Sequence, residues 1–310
     1  MKKIAKPFFL LFLIIFSLVL FIVIFFPKTK ILNNVKNFNS TSPKNKDFIL
    51  IGSSSTQQLY EEMGLEFSKK FSNINFIKTG GGSSEAVLAV KKNIANVGDL
   101  SRELTAKEKK YGFYAKTIAQ DMIAICVNKN NPIKNISTED LKKIFTKKIK
   151  NWAEIGGKNS LISLIGRDDA SGTRLAFEKI LNSKLPPSYD VILETNGKVK
   201  FKIQNDEDSI GYLSFSSCDD LIKPLYIDGV APTIKNVLNS TYFFKHPLIQ
   251  ITKSEPKDEI TKAWFNFVHS KEGAKIIERN KFIAITWHCK KNLVIRISHN
   301  LSLTSINIYY

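Results

Sequence analysis

An α/β fold is what this sequence predicts, and two observations carry the prediction. Short apolar runs of strand length alternate with amphipathic stretches of helix length, and the loops between them are rich in glycine and serine. Strands that alternate with helices in this way are expected to share a parallel sheet. No segment repeats at a fixed period, which argues against a solenoid or propeller.

The elements follow in order. "DFILI" (47–51) is an apolar run closed by "GSSST", and the amphipathic "QQLYEEMGLEFSKKF" after it has helical spacing. "INFIK" (74–78) is a second strand, "TGGGSSEA" a glycine-rich turn and "EAVLAVKKN" a second helix. A third unit runs from "IANVGDL" into "SRELTAKEKK", where another helix is expected. "TIAQDMIAICVN" (117–128) is a longer strand, and "STEDLKKIF" opens on a Ser-x-x-Asp helix start. "LISLIGRDDASGTRLAFEKIL" repeats the strand, loop and helix order. "SIGYLSF" and "HPLIQIT" (246–252) are late strands, and "DEITKAWFNFVHSKEGAKIIERN" has the spacing of two surface helices.

Outside this pattern lie both ends. Residues 8–26 are 19 uncharged, almost wholly apolar positions behind Lys2, Lys3 and Lys6, enough to cross a hydrocarbon layer of roughly 30 Å. No small-x-small cleavage site follows, so residues 1–26 are expected to be an uncleaved anchor, with a cleaved signal peptide as the alternative, and 27–46 a polar tether. The tail, 287–310, has no clear periodicity.

The formal net charge is +18, but the 46 basic residues are spread along the chain with no basic and aromatic stripe, and an exported chain rarely meets nucleic acid. Such a surface attracts small anions. Cys126, Cys218 and Cys289 are far apart and odd in number, so they are read as buried apolar residues and not as a disulfide framework.

Four loops share one composition: "GSSST" (52–56), "GGGSS" (80–84), "LSRE" (100–103) and "RDDASGT" (167–173). In open α/β sheets such loops gather at the carboxyl ends of the strands. A helix start there offers unpaired N–H groups and a partial positive charge, glycine allows close backbone approach, and serine or threonine adds a hydroxyl. Arg102 and Arg167 add planar forks matched to tetrahedral oxyanions. Each hydroxyl alone reads as a plain N-cap; four such loops together point to an anion site.

Rival chemistries fare worse. There is no G-x-x-x-x-G-K-[ST] phosphate loop and no G-x-S-x-G around Ser171. The four histidines, His246, His269, His288 and His299, are scattered, so no metal cluster, catalytic pair or cofactor is expected.

These stretches, with "AQDMIAICVNKNNP", "IFTKKIKNWAEIGG" and "DGVAPTIKNV", resemble the shorter phosphate-binding proteins of bacterial ABC-type phosphate importers over about residues 48–285. The resemblance implies a two-lobed periplasmic-binding-protein-like fold of type II with two hinge-crossing strands, near Gln120–Cys126 and Pro247–Thr252. One lobe would be 47–121 with 249–286, the other 122–248, closing on inorganic phosphate. It implies phosphate ligands at Ser55 and Thr56, Ser83, Ser101 with Arg102, and Arg167, Ser171, Gly172 and Thr173. Arg174 would support the site from behind. Longer members place an aspartate where this chain has Ser101, so another carboxylate is expected to accept the phosphate proton: Asp121 first, Asp99 second.

The expected function is a monomeric, non-enzymatic phosphate receptor in the periplasm, tethered to the inner membrane beside the permease subunits of its transporter. A phosphate-ester hydrolase and a surface or sensor protein on the same fold are the alternatives.

Overall fold

The computed structural model describes residues 46–285. The apolar segment 8–26, the C-terminal tail, Cys289, His288 and His299 therefore lie outside the described residues. Among the described residues no helix is long and apolar enough to cross a membrane.

Strand β1 (Lys46–Gly52) leads through a 3-10 turn at Ser54–Thr56 into α1 (Gln57–Lys70). β2 (Ile74–Thr79) and α2 (Ser83–Lys91) form the second unit, β3 (Val97–Leu100) and the single turn α3 (Ala106–Lys109) the third. β4 (Tyr114–Asn128) follows, then β5 (Asn135–Ile136), α4 (Thr138–Phe145), β6 (Ser163–Arg167) and α5 (Gly172–Leu181). β7 (Val191–Leu193), α6 (Asn196–Gln204), β8 (Ser209–Ser214), β9 (Ile222–Pro224), β10 (Tyr226–Ile227) and α7 (Ile234–Leu238) come next. The last elements are β11 (Lys245–Thr252), α8 (Glu259–Val268), α9 (Lys271–Arg279) and β12 (Ile283–Ala284).

The main sheet has the order β2-β1-β3-β11-β4-β8-β6-β7, with β9 and β12 paired beside β4. Its two flanks are parallel, β1 with β2 and β3, and β6 with β7 and β8. The middle is antiparallel: β11 against β3 and β4, and β4 against β8. The expectation of a parallel sheet therefore holds only for the flanks. Apolar periodicity fixes which face of a strand is buried, and says nothing of its direction against a neighbour.

Tyr114–Met122 of β4 pair with β11, while Ile123–Val127 of the same strand pair with β8. One strand thus carries the chain from one parallel flank to the other. Its second half is buried on both faces, which is why "MIAICV" reads as an unbroken apolar run.

Aromatic residues dominate the packing on either side. Trp264 of α8 is fully buried against Phe48, Phe67 and Phe76, with Phe67 edge-on to its ring at 5.2 Å. In the other flank Phe177 stacks on Tyr212 at 4.0 Å and packs against Phe145. Each such pair adds about 0.5–1.5 kcal/mol beyond area burial.

The third unit departs from the sequence reading. Its helix begins at Ala106, because Thr105 and Glu108 form a reciprocal capping box that sets the start beyond Ser101. Ser101 is left on a loop with its hydroxyl unclaimed by a cap.

Candidate functional site

The four loops meet. Gly52 ends β1 so close to β3 that a Cβ there would lie 2.1 Å from the Asp99 carbonyl, so only glycine brings the first loop beside the third. Ser53 Oγ accepts from the Ser55 amide at 3.1 Å and donates to Ser101 Oγ at 2.9 Å. Ser83 Oγ accepts from the Ser101 amide at 3.0 Å and lies 3.4 Å from Ser101 Oγ. Ser101 Oγ is 3.5 Å from Thr173 Oγ1, which is 3.0 Å from Ser55 Oγ.

Gly172 opens α5 at the middle of this group. A Cβ there would stand 2.1 Å from Ser83 Oγ and 2.6 Å from Ser101 Oγ, so a side chain would fill the space the hydroxyls share. Gly82, in the left-handed region at φ 87°, lies against the Ala170 carbonyl, and the Ser84 amide donates to that carbonyl at 3.2 Å. Ser171 is an N-cap, its hydroxyl accepting from the Arg174 amide at 3.2 Å. Ser83, Ser101, Ser55 and Thr173 are not caps; their buried hydroxyls bond one another.

Arg167 is 2 % exposed. Its guanidinium donates to the carbonyls of Leu193 (3.2 Å) and Glu194 (2.7 Å), to Asn196 Oδ1 (2.9 Å) and to Ser54 Oγ (3.3 Å). Burial lowers its pKa, yet a guanidinium keeps its proton in proteins. Arg174 sits behind it, bonding the Arg167 carbonyl at 2.9 Å and the carboxylates of Asp169 and Glu178.

Arg102 is also buried but looks elsewhere. Both its terminal nitrogens donate to Glu108, at 2.7 and 2.8 Å, and one also reaches Ser84 Oγ at 3.3 Å. That pairing holds the Glu108 carboxyl below its ordinary range although burial pushes it up.

The two candidate carboxylates are also set apart. Thr56 Oγ1 bonds Asp99 Oδ2 and lies 3.0 Å from the Ser53 carbonyl. Burial raises the Asp99 carboxyl, while the Lys78 ammonium and the Thr56 hydrogen bond work the other way. Asp121 lies across the β4–β11 pairing from His246, with Oδ2 3.3 Å from Nε2 and both side chains buried. Neither of its carboxylate oxygens has a hydrogen-bond partner among the described residues, so it touches none of the loop hydroxyls.

Sequence reasoning missed Asn196, the first residue of α6. It is 1 % exposed, its Nδ2 donates to Ser55 Oγ at 2.9 Å and its Oδ1 accepts from Arg167, so it joins the first loop to the fourth. "TNGKVKFKIQ" has alternating lysines and a weak apolar stripe, which hid the helix; Thr195, its N-cap, was the available signal. Ser216 was missed as well, and donates to the Ser55 carbonyl at 3.3 Å.

A model of the PBP superfamily domain matches residues 39–272. The phosphate-binding protein PstS of Bacillus subtilis is 32 % identical over 266 residues, 81 % of this chain and 86 % of that protein. The phosphate-binding protein PstS of Borreliella burgdorferi is 27 % identical over 85 % of this chain and 98 % of its own length. Among solved structures, a substrate-binding protein assigned to a phosphate ABC transporter of Clostridium perfringens, with bound phosphate, is 33 % identical. It superposes with a TM-score of 0.75, over 78 % of this chain and 100 % of that one. An ABC-type phosphate transport receptor from Vibrio cholerae, 27 % identical over 77 % of this chain and 100 % of its own, gives 0.65. Fold, loop chemistry and these relatives agree, and the chain belongs to the PBP superfamily, among the phosphate-binding PstS proteins.

Proposed function

We propose that this chain is an extracytoplasmic receptor that captures inorganic phosphate for an ABC-type importer, without covalent chemistry. One observation carries the reading: the hydroxyls of Ser55, Ser83, Ser101 and Thr173 converge on the helix start at Gly172, and Asn196 ties Ser55 to Arg167. Hydroxyl donors, unpaired helix-start amides and a buried guanidinium form a binding set for a tetrahedral oxyanion. The named relatives are binding proteins and not enzymes, which supports capture over hydrolysis.

On this reading Ser55, Thr56, Ser83, Ser101, Arg167, Gly172 and Thr173 contact the ion, and Ser171 caps the helix beneath it. Residues 47–121 with 249–286 and residues 122–248 act as two lobes that close on it, as a monomer. The apolar segment 8–26 tethers the receptor to the inner membrane beside the permease, at raised local concentration.

Phosphate near neutral pH still carries a proton, and a dry site needs an acceptor for it. Asp99 serves that task through Thr56, a site hydroxyl that it bonds, whereas Asp121 reaches none of the loop hydroxyls. Thr56 gives its one proton to Asp99, which leaves its oxygen lone pairs for the phosphate O–H. Sulfate has no proton to offer and leaves them unpaired.

Calorimetric titration with phosphate and sulfate tests both parts. Phosphate is expected to bind and sulfate to fail at the same concentrations. Asp99→Asn should cut the phosphate-to-sulfate preference by about 10–100-fold, the range for an unpaired buried polar group. Equal binding of both anions by the unaltered chain would overturn the reading.

A further inference from the structure

Cys126 and Cys218 are 92 residues apart in sequence and in contact in the fold, with Sγ···Sγ 3.6 Å. Cys126 lies in the fully buried half of β4; Cys218 follows the 3-10 turn Phe215–Ser217 after β8 and is 6 % exposed. Both are buried and free, in line with their reading as buried apolar residues, but sequence spacing cannot report the contact that the sheet makes between them.

The surroundings narrow what two adjacent thiols can do. They are packed among Ala124, Ile165, Val199, Ile203, Leu213 and Ile222. Among the described residues no group of three or more His, Cys, Asp or Glu side chains could hold a metal ion there. Burial pushes the Cys126 thiol well above its ordinary pKa, the opposite of what a nucleophile or redox catalyst needs. The chain also carries the apolar segment 8–26 of an exported or anchored protein, and such chains fold where disulfides persist.

We propose that Cys126 and Cys218 form an intramolecular disulfide as the chain folds outside the cytoplasm. The location rests on the proposed function; the pairing rests on the contact. The sulfurs must close from 3.6 Å to about 2.05 Å. The oxidant is a disulfide, protein or small-molecule. The Cys218 thiolate attacks it and releases one thiolate, then the Cys126 thiolate attacks the Cys218 sulfur of the mixed disulfide and releases the second. Two thiols lose two protons and two electrons, and one external disulfide becomes two thiols. Because the folded protein buries both sulfurs, the exchange belongs to the folding chain.

The bond would fasten to β4 the turn that carries Ser216, whose hydroxyl reaches the first loop. Lys281 donates to the Cys218 carbonyl at 2.7 Å, so the same turn is also gripped from the α9–β12 side.

The test uses the full chain with Cys289→Ser, which leaves only this pair. Protein refolded in detergent with reduced and oxidised glutathione is denatured and treated with maleimide. No label is expected before reduction and two per chain after it, with a mass lower by two hydrogens beforehand. The oxidised form should melt roughly 5–15 °C above the reduced one, as closing a long loop predicts. Two labels before reduction, or bonds only between chains or to glutathione, would overturn the proposal. Phosphate titration of the reduced protein reads the binding function separately, so failure of one leaves the other standing.

Discussion

Arg167 closes strand β6 and Arg102 stands two residues beyond β3, and both are buried, yet their surroundings give them opposite characters. Every side-chain bond made by Arg167 goes to a neutral acceptor: two carbonyls, an amide oxygen and a hydroxyl. Arg102 gives both terminal nitrogens to the Glu108 carboxylate. Neutral partners fix the orientation of a guanidinium without cancelling its charge, whereas a carboxylate in bidentate contact fixes it and cancels it. Arg167 therefore keeps an uncancelled charge among neutral partners, one of which, Asn196, also bonds Ser55. The third loop spends its charge on holding α3 in place.

The largest expected effect breaks this comparison most directly. Arg167→Met removes the charge and strands the acceptors around it, and phosphate affinity should fall by about 1,000-fold, as for loss of a buried charged contact. Arg167→Lys restores charge but not the fork, and should recover only part of that loss. Arg102→Met should change affinity by no more than roughly threefold, since its charge is already paired. Calorimetry on the three variants decides it: equal losses at the two arginines would show that both charges reach the anion.

Asn196 sharpens the comparison from the other side. It holds Arg167 and Ser55 at once, so Asn196→Ala should weaken phosphate binding about tenfold, close to the value of one or two buried hydrogen bonds. A larger loss with Asn196→Ala than with Arg167→Met would make the amide, and not the guanidinium, the principal grip.

Much of this arrangement was legible in the chain, and the gaps have physical causes. "GSSST", "TGGGSS" and "RDDASGTR" declare themselves as a set, because one hydroxyl before a helix is an ordinary N-cap but several loops of the same composition are not, and the structure brings them together. "SREL" offers a hydroxyl that suits a helix start, but the capping box at Thr105 and Glu108 is the stronger signal, four residues on. Strand direction is not legible in apolar periodicity, so the antiparallel pairing of β4 with β11 does not show in their sequences. Asn196 was hidden because α6 has little amphipathic contrast, and the meeting of Cys126 with Cys218 because only the sheet brings them together. Asp99 and Asp121 are both buried carboxylates in strand context, and nothing in their local sequence says that one meets a threonine and the other a histidine.

The smallest effect on binding comes from the third loop, and it appears in stability instead. Glu108 has a folded-state pKa below its ordinary value of 4.5: burial raises it, and the hydrogen bonds and charge of Arg102 together with the Thr105 amide outweigh that. A depressed carboxyl contributes stability that is fully present above the unfolded value and is lost as pH falls through the folded one. Glu108→Gln should therefore cost about 1–3 kcal/mol at pH 7, the range for a hydrogen bond to a charged group, while phosphate affinity changes by less than roughly threefold. The gap in denaturant midpoint between this variant and the unaltered chain should then narrow as pH drops below 4.5, where the unfolded carboxyl takes up its proton while the native one is still charged, and stop narrowing once pH has passed the lower folded value. A gap that stays constant from pH 7 to pH 3 would mean that Glu108 stabilises α3 through its capping bond alone, and that the charge of Arg102 remains available to the anion.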